Sequence, residues 1–402
     1  MKDEELILGK GQMLSPTNKA EDLLPKEEID RRIDLLKSQN FYKCNSYFPE
    51  LGSKSSEDRL LDLERQIRLY GYPDFQYLLF GMDVKTQAEQ DSYVNSWEFI
   101  CRRNYLNLYQ NNSNSTCILR NKFYFGIFAN AIGIKTPENV GYIENGIIHN
   151  IKDKFAAISL SDLLNICPDG FCKSLDGENG EDVFHLESIG DKIILSGKEI
   201  SESELMEKLS TGTFLVQKKI YQHDVLNELY PLSINTLRIV TVRSIKTGEI
   251  KIWPSMFRMG ANGSHIDNAS KGGVVVNINL ETGGISPVGY RYAKYGGRYT
   301  KHPDTGVDFS TFIIPHFDQV KRDAIYFHSM LKDIHSIGWD IAITPEGPAF
   351  IEGNDDWSIV QSQLDCGVRA LYEEDFFLIK SNRLHRWTRL YELQFDTASR
   401  SK

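Results

Sequence analysis

Glu352 and Asn354 stand two residues apart at the end of an apolar run, Phe350-Ile351-Glu352-Gly353-Asn354. In a strand, residues i and i+2 share a face, so a carboxylate and a carboxamide placed this way can aim their oxygens at one point. A hard cation is the ligand such oxygens suit. A third oxygen donor lies within reach. The run Trp339–Thr344 turns through Pro345-Glu346-Gly347-Pro348 and comes back to Glu352. With the turn centred on Glu346, Asp340 falls opposite Glu352 on the same face; a register one residue away puts it on the other face. Two carboxylates and one amide leave octahedral positions for water and phosphate oxygens, the usual way of holding Mg²⁺. The same residues would also serve as two acids at a solvated hairpin end.

Candidate cationic groups stand elsewhere in the chain. Lys173 and Ser174 end a strand-like run and precede a loop with Gly177 and Gly180. Glycine lets a backbone come close to a phosphate and offer it successive N–H groups. No Gly-Lys-Ser or Gly-Lys-Thr follows, so this is not a Walker loop, and a plain hairpin would have the same composition. Arg238 and Arg258 lie in apolar strand-like runs. A buried guanidinium needs a phosphate, a carboxylate or a structural acid beside it. Asp267-Asn268 precede Lys271-Gly272-Gly273 in a turn that either faces a ligand or follows ordinary turn chemistry. His223, His265 and His302 are scattered without zinc spacing, and no nucleophile elbow is present.

The elements that must position these residues come next. A chain of 402 residues builds one large domain or two to three lobes, and its net charge of −9 argues against a nucleic-acid partner. Six cysteines without a Cys-x-x-Cys pair read as reduced thiols in the core. The start lacks a signal-peptide core and no run reaches the roughly 20 apolar residues of a membrane span, so a cytoplasmic soluble protein is expected. Residues 20–112 carry helical spacing, with Ser56 and Asp58 opening one helix in the manner of a capping box. This part reads as a packing module or a substrate lid. After the polar break 111–116, a helix ended by Gly133 leads to an Asn145-Gly146 turn, and strands then alternate with helices in an α+β pattern without an internal repeat.

Taken in order, Asn121-Lys122, Lys173 with its loop, Gln222-His223, Ser233–Thr241, Ile266–Gly273, His302–Gly306 and Gly338–Asn354 resemble the motifs of the ATP-grasp superfamily, most of all its sugar-transfer-associated branch, over about residues 115–385. The resemblance implies two α+β subdomains gripping ATP behind a helical N-terminal region: residues 1–112 helical, 113–216 and 217–385 the two subdomains, and 386–402 a tail. Lys122 and Lys173 would contact ATP, with Ser174, Gly177 and Gly180 beside its phosphates. Gln217, Lys218, Lys219 and Ile220 would form the hinge whose backbone reads adenine. Asp340, Glu352 and Asn354 would hold Mg²⁺, or Mn²⁺ in its place. Arg238 would meet the transferring phosphate or its acyl product, with Arg258 and Asn268 in the same pocket. The chain departs from the pattern at Gln217, where relatives often carry Glu, and in the acids Asp176, Glu178 and Glu181 of the glycine loop.

The reaction so implied is ADP-forming carboxylate–amine ligation through an acylphosphate. It would join a small carboxylate to an amine or sugar-linked acceptor in polysaccharide assembly, with no nucleic acid, no membrane span, and a homo-oligomer left open. A peptide-tailoring ligase, a sugar kinase and a nucleotide binder without turnover are the alternatives.

Overall fold

The computed structural model describes residues 6–7, 13–14, 19–110, 114–175, 183–292, 295 and 297–376. Two antiparallel sheets carry most of it, as the α+β expectation requires. The first holds β1 (Asn139–Glu144), β2 (Ile147–Asn150), β3 (Ala156–Ile158), β4 (Asp169–Ser174), β5 (Val183–Ile189), β6 (Lys192–Leu195), β7 (Lys198–Ile200) and β8 (Thr213–Lys218), in the order β3-β2-β1-β8-β4-β5-β6-β7. Asn145 and Gly146, both at positive φ, turn β1 into β2. Cys172, Phe184, Leu186, Phe214 and Val216 face the helices Leu160–Ile166 and Glu202–Leu209, each opened by a Ser capping box. Strand alternation sends Asp169, Phe171 and Lys173 to the other face, opposite Gln217 and Leu215 of β8.

The second sheet holds β9 (Thr236–Arg243), β10 (Ile250–Met259), β11 (Val274–Asn277), β12 (Gly289–Tyr290), β13 (Arg298–Tyr299), β14 (Ser336–Thr344) and β15 (Gly347–Asn354), in the order β13-β12-β11-β10-β9-β14-β15. Leu237, Ile239, Phe257, Trp339, Ile341 and Phe350 pack on the helix Phe317–Met330 through Val320, Ala324 and Phe327, whose spacing is that of one helical face. The opposite face is also covered. Met256, Val275 and Tyr290 meet Phe48 and Tyr77, and Val240 and Trp253 meet Phe99 and Tyr105.

That cover is the N-terminal region, built on the helices Lys26–Gln39, Ser56–Tyr70 and Ser96–Asn104. The second is capped by Ser55, whose hydroxyl accepts from Asp58 N at 3.1 Å, one residue earlier than the expected Ser56. Asn107 fixes the region to the second sheet. Its Nδ2 donates to Ser336 O (2.9 Å) and Asp355 O (2.7 Å), and its Oδ1 accepts from His335 N (3.1 Å) and Ser336 N (3.0 Å). Arg120 grips Asp355 with two bonds of 3.0 and 2.7 Å. At this end the region is packing, not lid. The helix Lys122–Ala131 joins the two sheets: Phe123 lies 5.2 Å from Tyr142 of β1, and Phe125 lies 5.4 Å from Phe327. No described helix is long and apolar enough to cross a membrane. All six cysteines are free thiols, but Cys101, Cys167 and Cys172 alone lie in the core; Cys44, Cys117 and Cys366 are exposed.

Candidate active site

Arg238, Asp340 and Glu352 form one row across β9, β14 and β15, each directly opposite the next. Register partners share a face, so both carboxylates point the same way. The expected turn centred on Glu346 is not the one found. Thr344 pairs with Gly347 around a two-residue turn, a register that taken alone would set Asp340 against Ile351. A bulge at Ile351 adds one residue and brings Glu352 into place, because Asp340 pairs with Glu352 while Ile341 pairs with Phe350. Phe350 therefore enters the core and Glu352 faces the site, although they stand two residues apart. A second bulge, at Pro254-Ser255, interrupts the β9–β10 ladder beside Arg238; Ser255 Oγ repairs it by accepting from Val240 N at 3.0 Å.

Asp340 is buried between two arginines that are themselves buried. Arg238 sets Nε against Oδ1 and Nη2 3.0 Å from Oδ2, and Arg258 Nη2 lies 2.9 Å from Oδ2. Burial pushes Asp340 up, but Arg238 and Arg258 outweigh it and hold the carboxyl below its usual range. Burial likewise opposes the charge on Arg258, and Asp340 and Asp267 overcome it, leaving the guanidinium above its ordinary value. Arg258 also donates to Thr236 Oγ1 from Nε (2.9 Å) and Nη2 (2.6 Å), and its Nε lies 3.7 Å from Asp267 Oδ2. The partner that a buried arginine requires is thus an acid of this chain in both cases.

Glu352 is raised by burial and by Asp340, with which it shares a hydrogen bond. Two carboxyls in such contact need a proton or a cation between them. Asn354 Nδ2 donates to Glu352 Oε1 at 3.3 Å, and its Oδ1 accepts no bond from a described residue. The three oxygen donors named from the sequence therefore converge and fit a divalent ion. Across the cleft, burial lowers Lys173 to about 8, against the pull of Glu352 and with the push of Lys122. The lysines of the first sheet and its linking helix thus confront the acids of the second.

The remaining candidates divide. Ser174 follows Lys173 and alternation turns it to the opposite face, beside Phe214. Gly177 and Gly180 lie outside the described residues. Gln217 is buried, with Nε2 on Asn139 Oδ1 at 2.8 Å. Lys218 pairs with Glu138 at 3.1 Å and Lys219 with Asp169 at 3.0 Å. Lys218, Lys219 and Ile220 line a cleft of about 280 Å³ that runs to Thr344 and Glu346 and does not reach Asp340. Asn268 does not join the arginines: its Oδ1 caps a short turn by accepting Ser270 N at 3.1 Å. Its neighbour Asp267 does, which the sequence reading missed; the signal was that Arg258 needed an acid. Gln222 is a structural bracket, its Oε1 accepting Asn235 N at 3.0 Å. His302 is buried against Gly260 O at 2.8 Å in a structural turn. A further network missed from sequence joins Asp169 to His185 (2.6 Å) and Tyr221 (3.2 Å) beside Lys219.

Comparisons with known proteins bear on this arrangement. A family model described as sugar-transfer associated ATP-grasp matches residues 101–373, more than half of the chain. No curated protein matches. Among solved structures, the chain is similar to D-alanyl-alanine synthetase A from Vibrio cholerae (11% identity, TM-score 0.36, 71% of this chain and 67% of that one). It is similar also to N5-carboxyaminoimidazole ribonucleotide synthetase from Thermotoga maritima (13%, 0.33, 60% and 43%) and to the ATP-grasp ligase PsnB (10%, 0.32, 61% and 53%). The chain spans less than two thirds of the length of the latter two, and likenesses of that size say nothing of substrate or reaction. The family match takes in the acid row, the lysine strand and the segment Gln217–Ile220 together, and the chain belongs to the sugar-transfer associated ATP-grasp family.

Proposed function

We propose that this protein is an ADP-forming carboxylate–amine ligase that uses ATP and Mg²⁺, or Mn²⁺ in its place. The observation that carries the reading is the row Glu352–Asp340–Arg238 on one sheet face, with Lys173 opposite it. Mg²⁺ would supply neutralisation of phosphate charge, and Asp340, Glu352 and Asn354 would hold it. Lys122 and Lys173 offset the charge of the phosphates, and the backbone of Gln217–Ile220 reads the base. Arg238 and Arg258 face the oxygens of the acyl group as it is activated. Phosphoryl transfer asks mainly for positioning and charge neutralisation, so the reaction needs no side-chain nucleophile. The family's description supports the finer reading, in which an amino acid or similar group is joined to a sugar or surface-polysaccharide precursor.

The test is a screen for ADP release in Mg²⁺ over amino acids, uronic acids and amino sugars, with Glu352→Gln as control. Release that requires both a carboxylate and an amine, and falls by on the order of 10³-fold in Glu352→Gln, supports ligation. Equal turnover by the two proteins removes the site; phosphate retained on a sugar makes the protein a kinase.

A further inference from the structure

The strand-borne acids are accounted for by the nucleotide half of the reaction. Asp267 is not. It comes from the loop between β10 and β11 and reaches the arginine pair from the side away from Glu352. Its Oδ2 is pinned by Thr236, which donates to it from both the backbone N–H (3.0 Å) and the hydroxyl. Its Oδ1 accepts no hydrogen bond from any described residue, and the side chain keeps 14% of its surface open. The loop is built to hold this pose. Gly273 presses on it so closely that a Cβ there would lie 2.1 Å from Asp267 O. Pairing with Arg258 accounts for one oxygen alone: it is Oδ2 that stands 3.7 Å from Arg258 Nε, which leaves Oδ1 without a role in that pair. One oxygen is fixed and the other presented, a single guanidinium away from the row that handles the phosphate.

We propose that Asp267 is a further catalytic residue, whose Oδ1 takes the N–H of the attacking amine and receives the proton that this nitrogen sheds. The inference rests on the ligase reading. In the step it serves, the amine nitrogen bonds to the acyl carbon. The bond from that carbon to the phosphate oxygen breaks, and its electron pair leaves on phosphate. The surplus N–H proton passes to Asp267 and later to solvent. Burial raises the Asp267 carboxyl, Arg258 and Thr236 pull it back, and the balance stays above the ordinary carboxylate value, which suits a proton acceptor.

The two halves of the reaction can be read apart. Wild type, Asp267→Asn and Asp267→Glu are incubated with MgATP and a panel of the twenty L-amino acids and two uronic acids. Hydroxylamine, added to one set, traps the acylphosphate without help from a base; amide product is measured in a parallel set with the amino acids as amines. Asp267→Asn is expected to keep its hydroxamate yield within about twofold while amide formation falls by about 10²–10⁴-fold, with partial recovery in Asp267→Glu. Unchanged MgADP binding shows that the variant is folded. Equal amide rates overturn the proposal, as does parallel loss of hydroxamate and amide, which makes Asp267 a support for Arg258 alone. If wild type forms no hydroxamate with any carboxylate of the panel, the ligase reading itself falls and takes this inference with it.

Discussion

On β4 of the first sheet, Lys173 faces the cleft, where burial opposes its charge, and Asp169 and His185 on the same sheet keep about a quarter of their side-chain surface in solvent. On β9, β10 and β14 of the second, Arg238, Arg258 and Asp340 keep less than a tenth. Helices pack on one face of the first sheet and Phe123 meets Tyr142 on the other; water still reaches Asp169 and His185, whereas burial opposes the charge of Lys173 in the cleft. The second is covered on both, by the helix Phe317–Met330 and by the N-terminal region, so each of its charges must find a partner within the chain. Water-supported charges can change partners when a ligand arrives. Pair-supported charges fix a geometry and destabilise the fold when one partner is lost.

The comparison can be broken at four points. Arg258→Ala leaves Asp340 and Asp267 short of a buried partner and should destabilise the protein by about 3–5 kcal/mol, measured by urea unfolding followed by the fluorescence of the buried Trp253 and Trp339. A loss under about 1 kcal/mol would dissolve the distinction.

Acid is the next probe. Burial lowers His328 to about 3 and His335 to about 4. Both stay neutral in the fold, whereas the unfolded chain takes up a proton near pH 6.5. Stability is therefore whole above about pH 7 and falls through the window below 6.5, by about 1.4 kcal/mol per pH unit for each histidine. Two histidines give about 2 kcal/mol between pH 6.5 and 5.5, and His328→Gln should halve the slope. A flat profile across that window would show that the second sheet's buried groups are not held as described.

Asn107→Ala tests whether the N-terminal cover is part of the second sheet's stability. It strands the N–H groups of His335 and Ser336 and should cost about 2 kcal/mol; an unchanged unfolding midpoint would return the region to the status of a lid. The smallest effect belongs to the first sheet. Lys173→Met should shift the unfolding free energy by no more than about 0.5 kcal/mol while nucleotide binding, read by calorimetry, weakens about tenfold. A stability loss as large as that of Arg258→Ala would make the two sheets alike.

Much of this arrangement was legible in the residues themselves. Oxygen donors at Asp340, Glu352 and Asn354, a lysine at 173 and buried arginines at 238 and 258 were readable because strand alternation is local and because a guanidinium among apolar residues demands a counter-charge. The helical N-terminal region was readable from its spacing and caps. Its role was not, since nothing local shows that Asn107 reaches Ser336 and Asp355. The choice between Asp267 and Asn268 was also closed to the sequence: both suit a turn, and only the loop's packing against Thr236 and Gly273 decides which side chain turns inward.

The chain by itself determined which residue types stand on which strands, since φ/ψ preference and side-chain alternation act over two to four residues. Tertiary structure decided which face each of them meets. Counted along β15, Phe350 and Glu352 belong on one face; the bulge at Ile351 separates them, so that the ring enters the core and the carboxyl meets Asp340. That extra residue is stabilised by what packs on either side of the sheet: Phe327 and Trp339 against Phe350 on one face, and Asp340 with its arginines on the other. Neither contact is visible from the residues next to it in the chain.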